Sequence, residues 1–339
     1  MENINLKTLA VHLRLSAATV SKALRDSHEI SAETKQRVLD LANQLNYVPN
    51  PYASSLRKRV SKTIAVVIPE VADSFFAEAI NGIESIAQDK GYHVLIYLTH
   101  ENFEKEKAIL KDFQSGRVDG VLLSVSAETL CTHHISKLQS HQIPIVVFDR
   151  ICDEIETAKV FTDDYNGGYT AAQHLIDNNC KKIAYLSIST TLSIVNKRMK
   201  GYRQAMINNN LFKDEYIIDC TLNDDYNNAI INDLMKSKDR PDGIIASVER
   251  LTTNIYIACR DLKLAIPKDV AVISFSNLKT ASILHPSLTT ITQPAFDMGK
   301  AAASLLFKSL AKKSFKLDTE SELFPSVLNI RASTCKNHL

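Results

Sequence analysis

The first 60 residues constrain the chain most, because two short helical patterns lie on either side of a turn. Apolar residues recur at helical spacing from Leu6 to Leu13, and Ser16 can cap a second helix that starts at Ala17. One face of this second helix is apolar, whereas its other side carries small residues, hydroxyls and cations. Such a surface is suited to the major groove of DNA.

Two further helices are predicted before the alternating strand and helix patterns begin at Thr63. Ser31 can cap the first of them, whose apolar face runs from Val38 to Leu45. The second would start at Asn50, with a proline in the first helical position, and it ends in three adjacent cations at 57–59. A helix of this length is too short to be stable alone.

This stretch resembles the N-terminal DNA-binding domain of the LacI/GalR family of bacterial transcription regulators. The resemblance is carried by Ser16-x-x-Thr19-Val20-Ser21-Lys22, Asn46-Tyr47-x-Pro49-Asn50 and Ala53-x-x-Leu56. A helix-turn-helix pattern alone is weak evidence, but its combination with Tyr-x-Pro-Asn and a short hinge helix is specific. One departure is Arg14, which stands where the family has a glycine in the recognition turn.

The resemblance implies a homodimer that binds a palindromic double-stranded DNA operator. The residues expected to contact DNA are Thr8, Ser16, Ala17, Ala18, Thr19, Ser21, Lys22, Arg25, Asn50, Ser55, Leu56, Arg57 and Lys58. Since two alanines occupy the start of the second helix, Lys22 is the chief side chain that could reach a guanine. By the same resemblance, Leu56 would insert into the minor groove at the operator centre.

The distribution of charge agrees with a DNA-binding N-terminus. The whole chain has a net charge of +2, but residues 1–60 hold nine Lys/Arg against five Asp/Glu, so the remainder is negative. The six cysteines are scattered and form no C-x-x-C pair, and no signal pattern or long apolar run is present. We therefore expect a cytoplasmic protein without cofactor, metal or membrane span, and we expect His133 and His134 to lie on the surface.

From Thr63 onward, strand-like apolar runs alternate with helical patterns, which predicts parallel sheets. The segment Arg117-Val118-Asp119-Gly120 recurs as Arg240-Pro241-Asp242-Gly243, so two similarly wound lobes are expected. The predicted fold is an N-terminal all-α helix-turn-helix domain plus hinge helix, followed by an α/β core of two parallel-sheet lobes that is similar to periplasmic binding proteins. The predicted boundaries are 1–49 for the DNA-binding domain, 50–61 for the hinge, 62–162 plus 293–324 for lobe 1, and 163–292 plus 325–339 for lobe 2.

Polar side chains follow the predicted strands, where the ligands of such sheets bind. The candidate ligand-binding residues are Asp73, Phe75, Phe76, Ser124, Asp149, Arg150, Asp164, Arg198, Glu249, Ser276 and Gln293. Carboxylates, planar donors and an aromatic platform suit a polyhydroxylated small molecule, so a carbohydrate effector is expected, either a sugar or a sugar phosphate. The arginines could instead pair with the neighbouring acids.

Two departures from the family pattern lie among these residues. Val248-Glu249 stands where the resemblance leads us to expect Asn-Asp, and Ser276 where it leads us to expect Asp. The chain contains no dinucleotide, Walker or G-x-S-x-G signature, so an enzyme is not expected. The main alternative is a sugar-binding protein of transport or chemotaxis. Such a protein would share the two-lobed core but needs an export signal and no basic N-terminal helices.

Overall fold

The computed structural model describes residues 4–47, 60–152, 154–189, 192–312 and 315–335. Its contacts divide into two compact units, Met1–Ser61 and Lys62–Leu339. Each unit has its own hydrophobic core.

The first unit is a bundle of three helices in the order that the sequence predicted. They are α1 (Leu6–Leu13), α2 (Ala17–Ala23) and α3 (Ala32–Gln44). Ser16 and Ser31 cap α2 and α3, each accepting a hydrogen bond from the backbone N–H three residues later. Leu9, Val20 and Val38 contribute one fully buried side chain from each helix, so the three helices share one core.

The first sheet of the second unit has the strand order β11-β5-β4-β3-β1-β2, and every neighbouring pair is parallel. Its strands are β1 (Thr63–Ile68), β2 (His93–Leu98), β3 (Gly120–Leu123), β4 (Ile145–Phe148), β5 (Lys159–Thr162) and β11 (Ser321–Phe324). The helices that cover it are α4 (Ser74–Asp89), α5 (Phe103–Phe113), α6 (His133–Ser140) and α11 (Ala295–Ala311).

The second sheet has the order β12-β10-β9-β8-β6-β7, with β12 antiparallel to β10 and the other pairs parallel. Its strands are β6 (Ile183–Ser187), β7 (Ile217–Asp219), β8 (Gly243–Ala246), β9 (Ala271–Phe275), β10 (Thr289–Thr292) and β12 (Val327–Asn329). Its helices are α7 (Asp164–Asp177), α8 (Ser193–Asn208), α9 (Asp224–Lys236) and α10 (Leu251–Asp261). Short 3-10 turns lie at Asp214–Tyr216, Lys279–Ser282 and Leu317–Thr319.

Both faces of each sheet are covered by helices, which explains the continuous apolar runs. In β1, Ile64 and Val66 pack under α4 and α11, whereas Ala65 and Val67 pack under α5 and α6. The second sheet divides in the same way, with α7 and α8 on one face and α9 and α10 on the other. The predicted two-lobed α/β core is thus confirmed.

The chain changes sheet after β5, after β10 and after β11. The connections follow Thr162, Thr292 and Phe324, and they contact one another. The Gln293 side chain donates to the Thr162 hydroxyl at 2.9 Å, and the Asp163 N–H donates to the Phe324 carbonyl oxygen at 3.2 Å. We propose lobe boundaries of 62–162 plus 293–324 and of 163–292 plus 325–339. The division of the strands between the two sheets supports them.

Glycines allow two pairs of helices to cross at very short range. A Cβ on Gly168 of α7 would lie 1.9 Å from the Arg198 carbonyl oxygen of α8, and one on Gly201 would lie 1.9 Å from the Tyr165 carbonyl oxygen. Gly82 of α4 and Gly299 of α11 form an equivalent crossing in the other lobe. The two adjacent glycines of α7, Gly167 and Gly168, face different neighbours. Gly167 faces Phe275 and Ile291 of the sheet, but Gly168 faces the neighbouring helix.

We expect Gly168→Ala to destabilise the second unit by about 1–3 kcal/mol, because the added methyl group has no space against the α8 backbone. Helix propensity alone would give the opposite sign, a gain of about 1 kcal/mol. Urea unfolding of the purified chain measures the difference, with Gly82→Ala as the matched change in the other lobe. A neutral or stabilising Gly168→Ala would contradict the close crossing.

Candidate DNA interface and ligand cleft

The turn between α1 and α2 contains a residue in the left-handed conformation, at the position where the family has a glycine. Arg14 ends α1 with φ 55° and ψ 40°, and its N–H bonds back into the helix. A non-glycine residue at such a φ is uncommon, but a single occurrence is tolerated. The turn brings α2 across α1 and leaves the start of α2 at the surface.

The surface of α2 presents the side chains that the sequence assigned to DNA contact. Ser16, Ala18 and Arg25 are exposed, while Ala17, Thr19, Ser21 and Lys22 are half-buried. Thr8, also assigned to DNA, is half-buried and accepts a 3.5 Å hydrogen bond from the Asn5 N–H in the cap of α1. The five predicted hinge contacts, Asn50, Ser55, Leu56, Arg57 and Lys58, lie outside the described residues and stay predictions.

Lys22 of α2 and Arg25, which follows that helix, both have partners within the bundle. The ammonium group of Lys22 donates to the Glu29 carboxylate, and both side chains are about half exposed. Arg25 donates from Nε to the Ser21 carbonyl oxygen at 2.9 Å and from the guanidinium to Ser21 Oγ at 3.1 Å. An exposed ion pair of this kind is weak, so a DNA base or phosphate can compete with Glu29 for Lys22.

A small inner cavity of about 30 Å³ lies between the two lobes of the second unit. It is bounded by loops at the carboxyl ends of strands from both sheets and by the starts of α4 and α8. Its lining residues are Asp73, Phe75, Phe76, Asp149, Arg150, Ile194, Arg198, Val248, Glu249, Phe275, Ser276, Asn277 and Gln293. Nine of the eleven predicted ligand-binding residues are in this set.

Two predicted residues, Asp164 and Ser124, do not line the cavity. Asp164 lies behind Arg198 at the start of α7 and holds that guanidinium in place. Ser124 is fully buried at the end of β3, and its hydroxyl has no partner among the described residues. Sequence reasoning missed Ile194, Val248, Phe275 and Asn277. Phe275 and Asn277 flank the predicted Ser276 at a strand end and so could have been found.

Each of the three nitrogens of the Arg198 guanidinium donates a hydrogen bond within the chain. Its Nε donates to Asp164 Oδ1 at 2.7 Å, and its two amino groups donate to the Ser247 carbonyl oxygen at 2.7 Å and to Gln293 Oε1 at 3.2 Å. The guanidinium also lies over the Phe275 ring at 4.2 Å. Arg198 thus shapes the wall of the cavity but has few donors left for a ligand.

Asp149 and Arg150 have unused hydrogen-bonding capacity in the same wall. Asp149 is 4% exposed, has φ 61°, and accepts one long 3.5 Å bond from the Gln293 side chain. Arg150 donates to both oxygens of Glu101 at 2.7–2.8 Å. Its buried Nε has no hydrogen-bond acceptor among the described residues and lies 3.9 Å from the Asp149 carboxylate. Burial raises the pKa of Asp149 to about 7, against the opposing effect of Arg150 and Arg198.

Glu249 joins the two lobes at the edge of the cavity. Its carboxylate accepts hydrogen bonds from the Ser74 hydroxyl and from the Ser74 N–H at 3.3 Å, both in the first lobe. Within its own lobe it accepts from Ser276 Oγ at 2.6 Å and from the Asn277 N–H at 3.2 Å. The two departures from the family pattern are therefore in contact, since Ser276 donates to the carboxylate that Glu249 supplies.

A larger cavity of about 200 Å³ adjoins the first and shares Asp73, Arg150 and Val248 with it. Lobe 1 contributes the carboxylates Glu70 and Glu101, whereas lobe 2 contributes mainly apolar side chains such as Ile188, Leu192 and Leu222. Asp73 caps α4 by accepting from the Phe75 N–H at 2.9 Å. Burial, with a further contribution from the Glu249 charge, raises the pKa of Asp73 to about 6.

The expectation that His134 lies on the surface is wrong. His134 is 8% exposed, and its Nε2 lies 2.8 Å from Glu106 Oε1, which is fully buried. Glu106 also accepts from the Ser126 N–H and the Thr129 hydroxyl, so the pair anchors the loop after β3. The reason is that α6 packs on α5 through the face that carries His134. The sequence of a short polar helix does not indicate which face is buried.

Within the described ranges, no group of histidine, cysteine or acidic side chains has the arrangement of a metal site. The same part of the chain contains no helix long and apolar enough to cross a membrane.

Comparison with known proteins identifies both units. Residues 6–50 match the lacI family of bacterial regulatory proteins, and residues 172–334 match the periplasmic binding protein-like domain. The chain is 30% identical to the HTH-type transcriptional repressor PurR of Mannheimia succiniciproducens, over 98% of both chains. The chain belongs to the lacI family. It is also 28% identical to catabolite control protein A of Priestia megaterium, over 98% of this chain and 99% of that one.

Solved structures share the fold of this chain. The lac repressor dimer bound to operator superposes with a TM-score of 0.85 over 98% of this chain and 99% of that one, at 19% identity. A LacI family transcriptional regulator of Enterococcus faecium with bound ribose superposes with a TM-score of 0.72 at 25% identity, over 80% of this chain and 98% of that one.

The family resemblance seen in the sequence is thereby confirmed, and the protein is a DNA-binding transcription regulator. The alternative of a transport or chemotaxis protein loses its support, because the matched relatives share the N-terminal helices as well as the core.

We expect Lys22→Ala to weaken operator binding by about 1–3 kcal/mol and to relax the preference at one base position. Selection of binding sites from random DNA, followed by affinity measurement, tests both effects. Glu29→Gln is the matched control, since it frees Lys22 without removing it and should not weaken binding. An unchanged selected motif for Lys22→Ala would show that another residue reads that base.

We expect Asp149→Asn to alter the pH dependence of stability. The pKa of Asp149 is raised from 3.8 to about 7 in the folded chain, so its protonated form is favoured by folding. The stability that this proton contributes is fully present below about pH 4 and is lost as the pH rises through about 7. Asp149→Asn should therefore gain stability relative to the wild type between these pH values. Urea unfolding at several pH values measures it, and a constant difference would contradict the raised pKa.

Proposed function

We propose that this regulator binds a polyhydroxylated small molecule, in the first instance a carbohydrate, between its two lobes, and that this effector controls operator affinity. The DNA contacts are Thr8 of α1, the predicted residues of α2 with Ser16 and Arg25 at its two ends, and the predicted hinge. The regulator acts as a homodimer on a palindromic operator in the cytoplasm, and it has no catalytic role.

The pairing of Asp149 with Arg150 is the observation that carries the effector proposal. A buried carboxylate with one long bond lies beside a buried guanidinium Nε with no acceptor. Leaving such groups without partners is costly in free energy. A hydroxyl both donates and accepts, so a single ligand hydroxyl between the two residues satisfies both. A carbohydrate supplies several hydroxyls in a fixed arrangement.

The aromatic wall supports the same class of ligand. Phe75 and Phe76 line the inner cavity. Their rings pack edge to face with centroids 5.4 Å apart, an arrangement that stabilises both side chains. The apolar face of a sugar ring can pack against such a surface. Among the similar structures, one regulator is complexed with ribose and another with cellobiose, which are ligands of this class.

The contacts of Arg198 change the role that the sequence suggested for it. Its donors are directed to Asp164, Ser247 and Gln293, and removal of the guanidinium would leave Asp164 buried and unpaired. We therefore assign Arg198 to positioning of the cavity wall. Asp149 and Arg150 take the role of direct ligand contacts.

Closure of the lobes would couple the cleft to DNA. Glu249–Ser74 and Asn277–Glu78 are bonds between the lobes, so a ligand that changes the spacing at the cleft alters the position of the segment leading to the DNA-reading unit. The effector and the operator must then change each other's affinity by the same factor. The lac repressor, which has the same fold, is a dimer on its operator, and this supports a dimer here.

We expect Asp149→Asn to bind operator as tightly as the wild type and to lose most of the response to effector. The experiment is titration of labelled operator fragments in the presence of ribose, cellobiose and related sugars. Arg25→Gln is a control with the reverse expectation: it should weaken operator binding and retain sugar binding to the core. A wild-type response in Asp149→Asn would place the effector elsewhere, and failure of every sugar to bind the core would refute the carbohydrate class.

A further inference from the structure

The cations in the cleft are already neutralised by the chain itself. Arg150 is bonded to Glu101, Arg198 to Asp164, and Arg250 lies 3.4 Å from Asp224. The residues that line the two cavities include the carboxylates Glu70, Asp73, Glu101, Asp149 and Glu249, and they include no lysine. The lining carboxylates therefore outnumber the lining arginines, and each of these arginines already has a carboxylate partner within the chain.

The start of α4 is the other place where an anion would normally bind. The first N–H groups of a helix carry partial positive charge and are directed at the ligand in many phosphate sites. In this cleft the Phe75 N–H donates to Asp73 at 2.9 Å and the Ser74 N–H donates to Glu249 at 3.3 Å. Two carboxylates of the chain thus occupy the helix N-terminus, one of them reaching across from the other lobe.

Glu249 is held firmly in that position. The Ser74 hydroxyl, the Ser276 hydroxyl and the Asn277 N–H all donate to its carboxylate, in addition to the Ser74 N–H. A phosphate at the same helix end would have to displace these four bonds and lie beside both Glu249 and Asp73. Burial and the nearby Glu249 carboxylate raise the pKa of Asp73 against the opposing effect of Arg150, so a further negative charge at this helix end would be disfavoured.

We propose that the effector carries no phosphate or other anionic group, and that Glu249 is the residue that excludes such groups from the cleft. This inference rests on the proposed carbohydrate site and narrows its ligand from sugars and sugar phosphates to unphosphorylated sugars. The carboxylate of Glu249 takes the place at the α4 N-terminus that a phosphate of the ligand would take.

Calorimetric titration of the full-length chain with matched pairs of ligands tests this proposal. The pairs are ribose with ribose 5-phosphate and glucose with glucose 6-phosphate, and inorganic phosphate serves as a probe that is independent of the sugar. In the wild type, we expect the unphosphorylated member of a binding pair to be favoured by at least about ten-fold, because a single like charge at this range costs more than 1.4 kcal/mol. Inorganic phosphate should cause no shift in Tm beyond that of a chloride solution of equal ionic strength.

Glu249→Gln removes the charge while keeping the shape of the side chain. We expect it to reduce the preference for the unphosphorylated member by about ten-fold or more. Glu84→Gln is the matched control, because Glu84 is an exposed residue of α4 that lines neither cavity. This variant should prefer the unphosphorylated ligand as strongly as the wild type does. Ser74→Ala removes one hydrogen bond to Glu249 without changing the charge, and it too should keep the preference.

Three outcomes would overturn the inference. They are tighter binding of a sugar phosphate than of its sugar by the wild type, stabilisation of the wild type by inorganic phosphate, and an unchanged preference in a folded Glu249→Gln. If no sugar of either kind binds, the carbohydrate proposal fails, whereas the inorganic phosphate measurement on the wild type and on Glu249→Gln still decides whether the cleft rejects anions.

Discussion

The close crossing of α7 and α8 is the constraint on which the cleft depends. Because Gly168 and Gly201 have no side chains, the two backbones come within van der Waals contact, and Arg198 of α8 reaches Asp164 at the start of α7. From there the guanidinium bonds to the end of β8 and to Gln293, whose side chain donates to Thr162 at 2.9 Å. A wider crossing would break this chain of bonds at its first member and leave a buried charge without a partner.

The polar groups of the cleft bond to one another across the lobes as well as within them. A ligand must therefore replace existing contacts, such as those of Glu249 with Ser74, and only the difference between old and new bonds appears as affinity. The under-used groups of Asp149 and Arg150 are important for this reason, since a ligand can bond to them without first displacing a strong partner.

The strands were predictable where the sequence has a continuous apolar run, as in the buried β1 and β6 and in the more exposed β2. The three- and four-residue strands that start at Lys159, Ser321 and Val327 were not identified. Their short sequences carry little strand signal of their own, and pairing with a neighbouring strand determines their conformation. The ring of polar residues at the strand ends was predictable from topology. Which of these polar residues are hydrogen-bonded to one another could not be predicted, because side chains as long as those of Glu249 and Arg198 can reach several partners.

The two glycine crossings differ in their separation along the chain. Gly168 and Gly201 belong to consecutive helices, whereas Gly82 of α4 meets Gly299 of α11 more than 200 residues later. The first sheet likewise lacks its last strand until Ser321–Phe324 is made. During synthesis, domains fold as their residues leave the ribosome. The three-helix unit and most of the second lobe can therefore fold early, while the first lobe stays incomplete until nearly the whole protein has been translated. For most of that time the apolar face of α4 has no α11 to cover it.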